Sequence, residues 1–213
     1  MSRQTETTYQ YIKEKILDGT FKPTQKLTET QLAQQIAVSR NTVKKALLKL
    51  EQENLVTIED NKGATIKSFT LEEVINYLEI REVLEGLVAR SAARSIDSES
   101  LAKLKGTLDQ MKRFLDSNEL DKYSGQNKEF HAIIYQSASN QQAVEIITVI
   151  RTQLIRYHFR TILVPGRKDT SLAEHMAIYE ALRRHDEDEA ERTVKRHIAS
   201  VRDTIEQNYR FLV

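Results

Sequence analysis

Residues 32–50 read LAQQIAVSRNTVKKALLKL and decide the organisation of the first part of the chain. Apolar residues recur at helical spacing on both sides of a short break, Ala37-Val38, and the break is followed by Ser39, a residue type favoured at helix N-caps. The pattern predicts two helices joined by a tight turn. The second helix would run to about Glu53 and turn one apolar face inward, formed by Val43, Ala46, Leu47 and Leu50.

The segments on either side of this helix pair complete a small domain. Thr28 and Gln31 form a capping box that starts the first helix of the pair, and Gly19 and Asn54 are suited to the left-handed positions that end helices. The predicted helices cover residues 8–18, 28–36 and 39–53, and the predicted strands cover 55–58 and 64–67, with a hairpin tip at 59–63. We therefore expect residues 1–68 to form one domain of three helices and a β-hairpin.

Everything after Ser68-Phe69 has helical periodicity, and Val164-Pro165-Gly166 is its clearest interruption. The predicted helices cover residues 71–95, 99–116, 119–138, 141–162, 171–184 and 187–210, and their predicted caps are Thr70, Asp97, Asn118, Asn140, Ser171 and Asp186. The low numbers of Pro and Gly, 2 and 6 among 213 residues, agree with a mainly α fold class. Residues 69–213 would then form an antiparallel bundle of six helices.

The composition excludes several classes of protein. The absence of Cys excludes disulfides, a Cys-ligated metal and a thiol nucleophile. No apolar run approaches the roughly 20 residues that span a membrane, and residues 1–6 have no apolar signal core, so we expect a cytoplasmic protein without membrane contact.

The formal net charge of +1 gives no overall sign of a nucleic-acid partner, but it hides an asymmetry. Residues 1–68 contain 11 Lys+Arg against 8 Asp+Glu, whereas the remainder contains 21 against 23. Positions 30–50 contain Arg40, Lys44, Lys45 and Lys49 and no acidic residue at all. The basic surplus is thus concentrated in the second helix of the pair.

Two helices joined by a tight turn, the second of them basic, have the order of a DNA-binding helix-turn-helix. The donors that would reach phosphate oxygens and base edges are Ser39, Arg40, Asn41, Thr42, Lys44, Lys45 and Lys49. The hairpin tip at Asn61, Lys62 and Gly63 would be a wing that reaches an adjacent groove. The alternative is a solvated helix with ordinary surface lysines, but the turn, the caps and the hairpin in this order favour DNA binding.

These segments also carry a resemblance that covers nearly all of residues 8–67. The matching stretches are ILDGTFKP at 16–23, LTE at 27–29, LA at 32–33, VSRNTVKKAL at 38–47, LE at 50–51, LV at 55–56 and NKGA at 61–64. Together they resemble the winged helix of the GntR family of bacterial repressors. The resemblance implies operator contacts from Arg40, Lys44, Asn61, Lys62 and Gly63.

One departure from that family concerns base recognition. GntR proteins usually have Arg-Glu where this chain has Lys44-Lys45. Because Lys cannot make the bidentate fork of Arg to guanine, Lys44 would give more phosphate affinity and less base discrimination.

The helical part places polar side chains on stripes that should be apolar. Asn127 and His131 are four residues apart and share one helix face, while His175 and His197 lie on the inward stripes of two further helices. A single inward histidine is usually a hydrogen-bonded core residue. Three of them with an amide oxygen favour a divalent metal, because burying each polar group without a partner is costly. The ligand types suit Zn, Ni, Mn or Fe without choosing among them.

The second resemblance concerns this part of the chain. The spacing of Asn127, Phe130-His131, Glu174-His175 and Arg196-His197 is similar to the ligand-binding FCD domain of the FadR subfamily. Many members bind a metal through an Asp and three His, which implies Asn127, His131, His175 and His197 here. Asn127 stands where Asp is common, so the ligand set is neutral and an anionic effector would supply compensating charge. The six predicted C-terminal helices resemble those of the shorter, VanR-like members of the subfamily.

Two arginines are candidates for contact with an effector. Arg81 and Glu85 lie in the middle of an otherwise apolar stripe of the helix at 71–95. They would either pair with each other or leave Arg81 free to fork a carboxylate, and the two interpretations have equal weight. Arg151 is the second candidate.

Two classes of function fit these features. The first is a homodimeric transcription regulator, expected to be a repressor, that binds a near-palindromic double-stranded operator under the control of a small carboxylate. The second is a helical metalloenzyme, which would need Glu-x-x-His pairs or a His-Glu-x-x-His helix. Glu-x-x-His pairs do not occur, because the residues three positions before the histidines are Lys128, Ile155, Leu172, Leu182 and Val194. No His-Glu-x-x-His sequence occurs either. A DNA-binding protein whose bundle holds no metal is a third possibility.

Overall fold

A computed structural model of the chain describes residues 2–59, 63–155 and 160–212. The described residues form two compact units. The first contains residues 2–70 together with 151–155, and the second contains residues 71–150 and 160–212. The second unit thus begins near the predicted boundary, but the end of one of its helices is grouped with the first unit.

The first unit consists of three helices and a three-stranded sheet. In chain order its elements are α1 (Arg3–Leu17), β1 (Lys26–Leu27), α2 (Glu29–Ile36), α3 (Arg40–Gln52), β2 (Val56–Glu59) and β3 (Gly63–Ile66). The antiparallel sheet has the order β1-β3-β2, with Leu27 opposite Ala64 and Val56 opposite Ile66. The sequence pattern missed β1, because a strand of two residues is too short to show alternation.

Helix caps explain where these elements begin. Helix α1 starts five residues earlier than predicted, because the Ser2 hydroxyl accepts a hydrogen bond from the Thr5 amide at 3.2 Å. The predicted caps of α2 and α3 are confirmed, since the hydroxyls of Thr28 and Ser39 accept from the amides three residues later. Ala37 ends α2 in the left-handed conformation, with φ at 58°.

The core of the first unit lies between α1 and α3 and under the sheet. Ile12 and Ile16 of α1 are fully buried, as are Val43 and Leu50 of α3. The inward face of α3 is therefore the one that the sequence predicted. Burial of these side chains stabilises the unit by about 1.5–3 kcal/mol each before conformational entropy is subtracted.

The second unit consists of six α-helices and a short 3₁₀ helix among its described residues. They are α4 (Leu71–Ser95), α5 (Ser98–Asp116), α6 (Leu120–Ser137), α7 (Gln141–Ile155), the 3₁₀ helix Thr161–Leu163, α8 (Arg167–Arg183) and α9 (Glu187–Leu212). The carboxylates of Asp97 and Asp186 cap α5 and α9, and the amide of Asn140 caps α7, as predicted. The mainly α fold class with a small β-sheet is confirmed.

Three predicted helix ends are wrong. Helix α8 begins at Arg167, directly after Gly166 in the left-handed region, so Ser171 lies inside the helix instead of capping it. Asn118 has a φ of 58° and closes the end of α5, whereas α6 begins after Glu119 without a side-chain cap. Helix α7, predicted to run to residue 162, is described as far as Ile155, and Thr161–Leu163 form a 3₁₀ helix instead.

Helices α4 and α9 pack closely because α4 presents small residues to α9. A Cβ atom added at Gly86 would lie 2.8 Å from side-chain atoms of Lys195. Ala89 and Ala92 of α4, Phe130 and Ile134 of α6 and Ile198 of α9 are buried in the same core.

Among the described residues, no helix is both long enough and apolar enough to cross a membrane.

Candidate DNA interface and metal centre

Helix α3 presents a continuous exposed face of polar and cationic residues. Arg40, Asn41, Lys44 and Lys45 are all exposed, and they form two pairs spaced four residues apart, so they project from one side of the helix. The side chain of Arg40 is 71% exposed, with Glu29 at 3.7 Å as its ion-pair partner. This face offers guanidinium, ammonium and amide donors outside the core, as a recognition helix requires.

Several predicted DNA-contact residues also have polar partners within the first unit, among them Ser39, Thr42 and Lys49. Thr42 is buried, and its hydroxyl is hydrogen bonded to that of Ser39, whose oxygen also caps α3. Lys49 is held by Glu6 at 3.0 Å and lies 3.7 Å from the ring centre of Tyr9. Thr42 and Lys49 therefore stabilise the packing of α3, and their contact with DNA stays a prediction.

The wing is described only in part. Asn61 and Lys62, both predicted to contact DNA, lie outside the described residues. Gly63 pairs with Glu59 at the start of β3 and has a φ of 92°. A Cβ atom there would lie 2.4 Å from the Leu27 carbonyl oxygen, so this position requires glycine for the backbone of the sheet.

In the second unit, three histidines from three helices meet in the core. His131 of α6, His175 of α8 and His197 of α9 are all buried, and one ring nitrogen of each lies within 4.8 Å of the others. The ring centres of His175 and His197 are 4.5 Å apart, and that of His131 is 5.4 Å from each. The structure thus brings together the three histidines that the helical periodicity placed inward.

His175 has the protonation state and tautomer of a metal ligand. Burial, with the neighbouring His197, lowers the pKa of His175 to about 3, so its imidazole is neutral at neutral pH. Its Nδ1 lies 2.6 Å from the Ser171 carbonyl oxygen, which requires the proton to be on Nδ1. Its Nε2 then carries the lone pair, and this buried atom has no hydrogen-bond partner among the described residues.

Glu174 orients His197 through a chain of hydrogen bonds. The Nδ1 of His197 donates to Glu174 Oε2 at 2.7 Å, and Arg167 Nη2 donates to the same oxygen at 2.8 Å. Burial would raise the pKa of Glu174, but the hydrogen bond from His197 and the charge of Arg167 hold it below its usual value. A carboxylate that accepts from one imidazole nitrogen leaves the other available for a metal.

Arg81 and Glu85 lie on the α4 side of the cluster. Arg81 donates to Glu85 Oε1 through Nε at 2.8 Å and through Nη2 at 2.5 Å, so the interpretation of an internal ion pair is confirmed. Glu85 is 1% exposed, and its Oε2 lies 3.7 Å from His131 Nδ1. A contact of Arg81 with an effector stays a prediction.

The two remaining predicted residues differ in their placement. Asn127 lies one turn before His131 on α6, and its buried Oδ1 has no hydrogen-bond partner among the described residues. An unpaired buried acceptor one helical turn from a histidine is available as an oxygen ligand for an ion. Arg151 belongs to the first compact unit, whereas the histidines belong to the second. Its assignment to an effector is untested.

The arrangement fits one divalent ion. Three imidazole nitrogens within reach of one another, with the predicted Asn127 oxygen, would suit Zn, Ni, Mn or Fe, and a bound ion would act as a Lewis acid towards an anionic ligand. The sequence pattern missed the roles of Glu174 and Arg167. Glu174 is adjacent to His175 in sequence, but its partner His197 is 23 residues away on another helix.

Comparisons with known families agree with both halves of this description. The family of bacterial regulatory proteins called gntR matches residues 4–66, and the FCD domain matches residues 76–200. The chain is 25% identical over 199 residues to the HTH-type transcriptional repressor RspR of Escherichia coli K12, covering 93% of this chain and 87% of that protein. It is 28% identical over 193 residues to the HTH-type transcriptional regulator YdhC of Bacillus subtilis 168, covering 89% and 85%.

Solved structures show the same fold. The structure of McbR/YncC of E. coli superposes with a TM-score of 0.78 at 18% identity, covering 98% of this chain and 100% of that one. A putative GntR regulator from Rhodococcus sp. RHA1 gives a TM-score of 0.74 at 22% identity, covering 97% and 99%. The relatives are transcriptional regulators, so the metalloenzyme alternative is set aside. With a winged helix-turn-helix followed by an FCD domain, the chain belongs to the GntR family of DNA-binding transcription regulators and to those of its members that carry an FCD domain.

Proposed function

We propose that this protein is a repressor whose affinity for its operator is set by a small organic acid bound at the histidine cluster. The observation that carries the proposal is the buried cluster of His131, His175 and His197 in the second unit of a chain whose first unit has an exposed cationic helix. One relative that matches nearly the whole chain, RspR, is itself named a repressor.

The proposed DNA interface consists of α3 and the wing. Arg40 is exposed and able to fork a guanine, whereas Lys44 and Lys45 provide point charges for phosphates. Asn61 and Lys62 of the wing would contact a neighbouring groove. Two copies of the chain related by a twofold axis would read two half-sites, and this symmetry requires a near-palindromic operator.

The proposed effector is anionic because of the charge balance around the histidines. The ligand set of Asn127, His131, His175 and His197 is formally neutral. Glu85 is paired with Arg81, and Glu174 with Arg167, so the surrounding charges cancel. A divalent ion would therefore bring two uncompensated positive charges into a buried site, which a carboxylate bound to the ion would offset.

A homodimer is proposed from an exposed apolar face of α4. Ile80, Val83 and Leu87 are 48%, 61% and 41% exposed, and their spacing of three and four residues places them on one side of the helix. A twofold interface uses the same patch on both copies, so a self-complementary apolar face is suited to it.

Val83→Glu combined with Leu87→Glu is expected to raise the dimer dissociation constant by roughly a hundredfold or more, because four buried carboxylates would replace apolar contacts across the twofold axis. Sedimentation velocity over a range of concentrations measures the change. Met176→Glu, which alters a 54% exposed apolar residue on α8, is the control. If the double variant sediments as the wild-type protein does, the dimer contact lies elsewhere.

A screen of small mono-, di- and tricarboxylates tests the effector. Purified protein is unfolded thermally with each acid in the presence and absence of Zn²⁺. We expect at least one acid to raise Tm by several degrees only when the metal is present, since a ligand at a hundred times its Kd stabilises the native state by about 2.7 kcal/mol. The same acid should lower DNA affinity. A protein that binds Zn²⁺ yet responds to no carboxylate would contradict the proposed effector class.

A further inference from the structure

A cleft in the second unit, separate from the histidine cluster, lies between the start of α8 and the C-terminal half of α9. Its volume is about 510 Å³, within the range of pockets that hold small metabolites. Its polar lining includes Arg167, Thr170, Arg196, Ser200, Thr204 and Gln207. None of the four proposed metal ligands lines it.

Arg167 is the buried cation of this cleft. It is 6% exposed, its Nη1 donates to Thr170 Oγ1 at 3.2 Å, and its Nη2 donates to Glu174. Its Nε is buried and has no hydrogen-bond partner among the described residues. Because a buried donor of a charged group is costly to leave unpaired, an acceptor from a ligand would stabilise this arrangement.

Two further positive groups lie at the cleft. Gly166 precedes α8 without a side-chain cap, so the positive end of a 17-residue helix dipole lies here. Arg196 lines the cleft with a side chain that is 70% exposed, and its Nη2 donates to Glu189 at 2.9 Å. Asp203 also lines the cleft, and its carboxylate accepts from Arg202, which pairs with Glu82 as well.

We propose that this cleft is a second ligand site, which binds the oxyanion group of a small hydroxylated metabolite. Arg167, Arg196 and the start of α8 would hold the oxyanion. The side chains of Thr204 and Gln207 would hydrogen bond to the hydroxyls, and the volume exceeds what an inorganic anion alone would fill. A phosphate ester and a carboxylate share this chemistry.

The cleft is also connected to the histidine cluster. Arg167, which lines it, donates a hydrogen bond to Glu174, and Glu174 also accepts one from His197. A ligand that draws Arg167 towards itself would change how Glu174 holds His197. By linkage, occupancy of the cleft and of the histidine cluster would then influence each other.

Thermal unfolding of the full chain in EDTA tests the site with two matched probes, glycerol 3-phosphate and glycerate, at constant ionic strength. We expect at least one of them to raise Tm saturably, and the more effective probe identifies the oxyanion. Arg196→Gln should weaken that response by roughly threefold or more, because it removes one of the two cleft arginines. Arg192→Gln is the control, since Arg192 also pairs with Glu189 on α9 but does not line the cleft.

His175→Ala separates this site from the proposed effector site. The response to the probe should persist in this variant, because His175 does not line the cleft. Loss of the response in His175→Ala, an equal response in Arg196→Gln and wild type, or no response to either probe would each overturn the proposal. None of these results depends on bound metal or on DNA.

Discussion

Replacing Arg40 and Lys44 together by Ala is expected to lower affinity for operator DNA by roughly a hundredfold or more at 0.1 M salt. Each side chain is exposed on α3, and neither contributes to the core. A bidentate contact to a base accounts for about 1–3 kcal/mol of discrimination, and each phosphate contact adds a term that depends on salt. Fluorescence anisotropy with a duplex selected by the wild-type protein from random sequences measures the loss.

The two single variants should differ in which property of DNA binding they change. Arg40→Ala should relax sequence preference at one base pair of each half-site. Lys44→Ala should weaken binding to all duplexes and reduce the slope of log affinity against log salt by about one unit per half-site. Lys112→Ala, which removes an exposed charge on α5, is the control. Unchanged affinity and an unchanged salt slope in the double variant would remove α3 from the DNA interface.

His131→Ala combined with His175→Ala is expected to abolish metal binding, from one equivalent of divalent metal per chain to none. Two of the three buried imidazoles are lost, and the remaining His197 and Asn127 cannot hold an ion against water. Elemental analysis after dialysis against Zn²⁺ and titration calorimetry measure the loss. Circular dichroism establishes that the bundle remains folded.

The neighbouring residues supply controls for this experiment. His185→Ala should keep full metal content, because the ring of His185 is hydrogen bonded to the Ala93 carbonyl and is not part of the cluster. Glu174→Gln should lower metal affinity by about 10–100-fold, since it weakens the group that orients His197. Asn127→Asp should raise affinity by adding a negative oxygen ligand. Negligible metal in the wild type would contradict the metal site.

Local chemistry accounts for the parts of the fold that the sequence predicted. Ser39 and Asp97 accept hydrogen bonds from helix amides within three residues, so their capping roles are visible in sequence alone. The predictions failed where two local signals competed. Ser171 has the residue type and the spacing of a helix cap, yet α8 begins earlier, directly after Gly166. Ser171 therefore lies inside the helix, where its carbonyl oxygen accepts a hydrogen bond from His175 Nδ1.

The sequence by itself determined the order of the α-helices and the inward faces of α3, α6, α8 and α9, because helical periodicity indicates which side of each helix is apolar. It therefore also determined which three histidines point inward. Tertiary structure alone decided which inward faces meet. It placed His131, His175 and His197 within reach of one ion, and it joined Arg167 and Glu174 to His197. It also paired Lys49 with Glu6, 43 residues away in sequence. Such pairings depend on distances between helices far apart in sequence, which no local pattern records.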